Sequence, residues 1–166
     1  MKNIVFVIPV FNDWESCRQL LIELQARHPL SMRVLLVNDG SETDLPIDFL
    51  ELKIALEILN LTLNVGHQRA IAIGLAYVHE HFDHFEMVIV MDCDGEDRPI
   101  DTDFLFDRCR QNNFQKIIFA QRKRRTESIL FRSFTFLLKL FLRLFDLETQ
   151  LSFGNFSCIP KDLLKK

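Results

Sequence analysis

The sequence predicts an α/β domain built around a mainly parallel sheet, and three observations lead to it. Residues 4–8, 34–37 and 87–91 are apolar runs without alternation, the pattern of strands buried on both faces. Between them lie segments whose apolar residues recur at helical spacing. The chain has 166 residues, 48% of them hydrophobic, which is enough for one core and short of two. Five Gly and five Pro leave little room for long loops.

The elements follow in order. The strand over 4–8 ends at Pro9, and Asn12 or Asp13 can cap a helix that places Trp14, Cys17, Leu20, Leu21 and Leu24 on one face, with Pro29 just past its end. A second strand over 34–37 is stopped by Asn38-Asp39-Gly40-Ser41, a turn sequence. A third strand covers 55–61. After Asn64-Val65-Gly66, residues 67–78 carry Ala70, Ile71, Gly74, Leu75 and Val78 at helical spacing. The fourth strand, 87–91, is the most central by composition. A helix over 101–111, a short fifth strand over 116–120, a long helical pattern over 127–145 and an extended piece over 151–159 complete the chain. No repeat or linker interrupts it, so residues 1–166 read as a single domain.

With 26% charged residues and a mean hydropathy of +0.08, the chain is neither disordered nor of low complexity. Cys17, Cys93, Cys109 and Cys158 form no CxxC pair, which speaks against a thiolate zinc site or a disulfide framework and for a reducing compartment. The apolar N-terminal stretch contains Pro9 and lacks a small-residue cleavage site, so it reads as a strand and not a leader, and the expected location is cytoplasmic. Net charge is −3, yet eight Lys/Arg between Lys116 and Arg143 face Glu127 alone. An acidic body with one basic segment suits a phosphate or a membrane surface better than wholesale nucleic-acid binding. Residues 129–145 combine a wide apolar face with a narrow stripe of Arg132, Lys139 and Arg143. This pattern fits a core helix or one lying in a membrane interface, not a spanning one.

Ligands of open α/β sheets bind beyond the carboxyl ends of the strands. Three polar clusters fall there: Pro9-Val10-Phe11-Asn12-Asp13, Asn38-Asp39-Gly40-Ser41 and Asp92-Cys93-Asp94-Gly95-Glu96-Asp97. Asp92 and Asp94 leave an extended backbone on the same side, and Glu96 can join them once the chain turns at Gly95. Gathered carboxylates call for a hard cation, Mg²⁺ or Mn²⁺, which commonly bridges to substrate phosphates. The alternative is a solvated acidic loop capping the next helix. Arg122, directly after the fifth strand, is the candidate phosphate ligand of the basic cluster Gln121-Arg122-Lys123-Arg124-Arg125. His79, His81 and His84 lack the i, i+4 spacing of a zinc pair and read as favourable charges at a helix end.

Ile8-Pro9-Val10-Phe11-Asn12-Asp13, Val37-Asn38-Asp39-Gly40-Ser41, Asn64-Val65-Gly66-His67-Gln68 with Ala70 and Gly74, and Met91-Asp92-Cys93-Asp94-Gly95-Glu96-Asp97-Arg98-Pro99 stand in one order and spacing. Over nearly the whole chain they resemble the family-two glycosyltransferases, most of all the branch acting on polyprenyl (dolichyl or undecaprenyl) phosphates. The resemblance implies a Rossmann-like three-layer nucleotide-diphospho-sugar transferase fold and metal-dependent, inverting transfer from a nucleotide-diphospho-sugar donor to a lipid-phosphate or glycan acceptor. It assigns a nucleotide-sugar part to residues 1–120 and a basic, amphipathic acceptor-side part to 121–166, with membrane contact through 125–145 at the inner face. By matching position, Pro9, Phe11 and Asp13 line the nucleoside pocket, and Asp39 hydrogen-bonds the base. Gly66 belongs to the donor site, Asp92 lies near ribose and metal, and Asp94 and Glu96 complete the metal ligands. Arg122 and Arg132 neutralise phosphate.

Two departures stand out. Glu96 occupies a position where the lipid-phosphate branch usually has Gln, and Asn155, in Phe153-Gly154-Asn155-Phe156-Ser157, occupies one that often carries Asp. An amide cannot take a proton, so either the acceptor needs no base or activity is impaired. The chain also ends soon after this segment, earlier than family members generally do, which is the expectation for a minimal enzyme, a truncated product or a subunit. A nucleotide-sugar-binding module without turnover is therefore the rival reading. Residues 88–95 also resemble the nucleophile loop of haloacid-dehalogenase-type phosphatases, but that family places Thr where Glu96 stands.

Overall fold

A computed structural model describes residues 4–28, 32–120 and 155–164. Six strands form one sheet in the order β3-β2-β1-β4-β6-β5. They are β1 (Ile4–Val10), β2 (Met32–Asn38), β3 (Ala55–Asn60), β4 (Met87–Val90), β5 (Ile118–Phe119) and β6 (Ser157–Pro160). The first four are parallel, while β6 runs antiparallel between β4 and β5. The sheet is thus mainly parallel, as expected. The antiparallel insertion is a non-local pairing that no local pattern announces.

Crossover helices α1 (Trp14–Arg27) and α2 (His67–His81) link β1 to β2 and β3 to β4, and α3 (Asp101–Gln111) follows β4. A 3₁₀ turn over Ile47–Glu51 and a single helical turn over Lys161–Leu164 add to the expected elements. Asp13 caps α1, accepting the Ser16 N–H at 3.2 Å, and Trp14, Cys17, Leu20, Leu21 and Leu24 are all buried. The long helical pattern over 127–145 lies outside the described residues.

The first strand does not stop at Pro9 but runs to Val10, with Pro9 opposite Val37. The Val7 carbonyl accepts from Met91 on the β4 side, and the Val10 carbonyl accepts from Asp39 on the β2 side. Alternation puts the missing Pro9 N–H on the β4 side, beyond the last β1–β4 pair at Val7, so no ladder bond is lost.

One face of the sheet, Val5, Val7, Leu35, Val37, Val88 and Val90, packs against Ala70, Ile71 and Val78 of α2. A Cβ on Gly74 would stand 2.7 Å from a Val37 methyl and 2.8 Å from a Val7 methyl, so this glycine sets how closely α2 approaches. Phe6 and Ile8 are equally buried on the opposite face, where Phe6 meets His28 and Arg27 pairs with Asp103 of α3. Because the β1 connection leaves toward β2 on one face and α2 returns to β4 on the other, a switch point opens between β1 and β4 at their carboxyl ends.

Candidate active site

The three polar clusters meet at this switch point. Beyond β1, Asn12 takes a left-handed conformation (φ 58°). Its backbone N–H donates to Ser41 Oγ at 3.0 Å, and its side chain accepts from Glu42 N at 2.8 Å. Trp14 Nε1 reaches Thr43 O and Oγ1, both at 3.1 Å. The loops after β1 and β2 are therefore laced together. Pro9 is buried, whereas Phe11 stands 45% exposed and Asp13 is exposed apart from its capping bond.

Asp39 is buried, and its two carboxylate oxygens accept the backbone N–H groups of Val65 at 2.8 Å and Gly66 at 3.1 Å. Gly40 has φ +70°, and a Cβ there would stand 2.5 Å from Asn64 N and 2.6 Å from Leu63 C. Asp39-Gly40 is thus the seat of the loop leading into α2, by charge-assisted hydrogen bonds and by close backbone approach.

After β4 the acidic residues divide. Asp97 is buried and accepts the Asp92 N–H at 2.8 Å, while Asp94 and Glu96 are exposed, with Glu96 N donating to Asp94 Oδ1 at 2.9 Å. Asp92 turns to the start of α2 instead. His67 Nε2 lies 2.9 Å from Asp92 Oδ1. The Asn155 side-chain amide lies 2.7 Å from the same Nε2 and 3.4 Å from Asp92 Oδ2, and Gln68 holds Asn155 at 2.7 Å. The hydrogen bond to Asp92 and the charge of that carboxylate raise His67 above the ordinary imidazole range, against the opposing effect of partial burial. Nε2 then carries a proton and donates to Asp92. The Asn155 side-chain N–H donates to Asp92 Oδ2, and the Gln68 side-chain N–H donates in turn to Asn155 Oδ1.

Of the residues expected from the sequence, the structure brings Asp92 and Asn155 together, with Asp39 and Gly66 joined in the neighbouring loop. Asp92, Asp94 and Glu96 are not gathered into one set: among the described residues, no three His, Cys, Asp or Glu side chains are placed to hold one ion. Their all-oxygen chemistry nevertheless fits a hard divalent cation, and the exposed Asp94 and Glu96 have room to turn toward one. Arg122 and Arg132 lie outside the described residues. His67 and Gln68 are the site residues that the sequence reading did not single out, although both stand in the Asn64-to-Gln68 motif. A cleft of about 710 Å³ lies between α1 and the acidic loop, lined by Glu15, Gln19, Glu23, Asp94 and Arg98 among others.

All four cysteines are buried free thiols. They meet in pairs, Cys17 of α1 with Cys93 of the acidic loop and Cys109 of α3 with Cys158 of β6. In the first pair the bond to Cys93 and then burial push Cys17 up, and in the second burial is the main cause for Cys158. No helix among the described residues is long and apolar enough to cross a membrane.

Residues 5–160 match the family model described as Glycosyl transferase family 2. No curated protein matches the chain in sequence. Among solved structures, S. aureus TarS 1–349 in complex with UDP-GlcNAc is similar at 20% identity and a TM-score of 0.55, over 78% of this chain and 37% of that one. Glucosyl-3-phosphoglycerate synthase from Mycobacterium tuberculosis, in complex with Mn²⁺, UDP and glucosyl-3-phosphoglycerate, is similar at 13% identity and a TM-score of 0.63, over 97% of this chain and 57% of that one. The chain therefore spans less than two thirds of the length of either structure, and the likeness is one of fold.

Proposed function

We propose that this chain, which belongs to glycosyl transferase family 2, moves a sugar with inversion from a nucleoside-diphospho-sugar to a polyprenyl phosphate. The observation that carries the reading is the meeting of the loops after β1, β2 and β4 at the sheet's switch point, with Asp39 seated inward and Asp92 and Asp94 on the acidic loop. In this reading Pro9, Phe11, Asp13, Asp39 and Gly66 form the nucleoside side. Asp94, with Asp92 and Glu96, would hold Mg²⁺ or Mn²⁺, which when bound supplies charge neutralisation for the diphosphate leaving group. Arg122 and Arg132 add fixed positive charge on the phosphate side. A phosphate acceptor is an anionic nucleophile at neutral pH, so Asn155 need not act as a base, and it serves to orient its neighbours.

Residues 1–120 form the donor part and 121–166 the acceptor part in this proposal, with 125–145 touching the membrane at its cytoplasmic face. The similar folds hold UDP-GlcNAc, and UDP with Mn²⁺, so these are the ligands to test first. A panel of UDP-, GDP- and dTDP-sugars, each with and without Mn²⁺, is expected to raise the melting temperature for one base in a metal-dependent way. Mixing that donor with a short polyprenyl phosphate is then expected to release the nucleoside diphosphate. Binding with no release in any acceptor assay would favour the second reading, a nucleotide-sugar-binding module, to which Asn155 lends weight. Absence of binding across the panel would overturn both.

A further inference from the structure

We propose that His67, backed by Asn155 and Gln68, is a positioning residue that sets the Asp92 carboxylate for a donor-bound cation. The inference deepens the donor-site reading above and rests on it. Asp97 fixes the Asp92 backbone through the bond to its N–H at 2.8 Å, but that bond leaves the side-chain torsions free. The carboxylate itself is held from two other elements. Oδ1 faces His67 Nε2 at 2.9 Å, from the first residue of α2, and Oδ2 faces the Asn155 amide at 3.4 Å, from the residues entering β6. Gln68 steadies that amide at 2.7 Å. Asp94 has no comparable support: its one described bond is to Glu96 N within its own loop.

The difference matters chemically. A carboxylate held in one rotamer meets a cation without losing torsional freedom at that moment, and partners that orient a ligating side chain commonly contribute about 10- to 100-fold in metal affinity. His67 is suited to orientation and not to core packing, since its side chain is 44% exposed. Removing it is therefore expected to spare the fold.

The test is Mn²⁺ titration of the full 166-residue chain, followed by electron paramagnetic resonance, with UDP and separately GDP present. His67→Ala is expected to weaken Mn²⁺ binding about 10-fold or more, with the fold retained by circular dichroism. His67→Gln retains an N–H donor and is expected to recover most of the loss, which an imidazole acting as a direct metal ligand would not allow. Should His67→Ala bind Mn²⁺ like the wild type, or His67→Gln fail as badly as His67→Ala, the positioning role is overturned while the donor site stands. A wild-type chain with no Mn²⁺-dependent nucleotide binding overturns the donor-site reading, and this inference falls with it. If His67→Ala fails to fold, His67→Gln alone decides: near-wild-type affinity supports the role, and a 10-fold loss in the folded variant overturns it.

Discussion

The loops after β2 and β4 both present aspartates at the carboxyl edge of the same sheet, and these aspartates are used in two opposite ways, both of them within the loop after β4. Asp39 is buried with both oxygens satisfied by backbone N–H groups of the next loop, and Asp97 does the same for the Asp92 N–H. Asp94 and Glu96 are exposed, and Asp92 faces His67. Aspartates that tie main chain to main chain hold the rim of the site in place. Those whose oxygens face outward or meet only side chains are available for chemistry. The comparison separates stability from ligand binding residue by residue, and that separation can be tested.

On stability, the largest effect is expected at Asp39. Asp39→Ala removes the acceptor of the Val65 N–H and leaves the Gly66 N–H only Asn64 Oδ1, and should cost about 2–3 kcal/mol, read as a lowered urea midpoint. Gly40→Ala comes next at about 2 kcal/mol, because its new methyl meets the 63–64 backbone at a positive φ. Asp97→Ala should cost about 1–2 kcal/mol by removing the acceptor for Asp92 N.

Asp92→Asn acts mainly through pH. His67 is raised by Asp92, so the stabilisation from this pair is fully present below the unfolded imidazole value near 6.5 and fades as pH rises through the raised folded value. In Asp92→Asn, nuclear magnetic resonance should find the His67 midpoint moved down, and the stability gap from wild type should be wider at low pH than at high. Asp94→Ala should change stability least, within about 0.5 kcal/mol, while abolishing metal-dependent nucleotide binding by calorimetry. A destabilised Asp94→Ala or a fully stable Asp39→Ala would erase the distinction between the two kinds of aspartate.

Much of this architecture is legible in the sequence. The strands of β1, β2 and β4 are apolar on both faces, so they could be recognised without alternation, and the stripe on α1 from Trp14 to Leu24 matched burial at every position named. Strand limits moved by a few residues, as with β5, which is confined to Ile118–Phe119. The position of β6 was not readable, because a four-residue strand joins β4 and β5 through pairings about 70 and 40 residues apart in sequence. The cysteine pairs were hidden for the same reason. At the site, residue type marked Asp39, Asp92 and Asp94 alike, and only packing revealed that Asp39 turns inward.

By itself, the sequence determined the alternation of strands and helices, the burial of the sheet on both faces, and the carriage of polar clusters at the strand ends, since these follow from local periodicity and turn chemistry. Tertiary structure alone decided which aspartates serve the main chain and which neighbours meet Asp92. His67, Asp92 and Asn155 come from three elements, and contact between residues so far apart depends on how the sheet orders its strands, which no short-range pattern encodes.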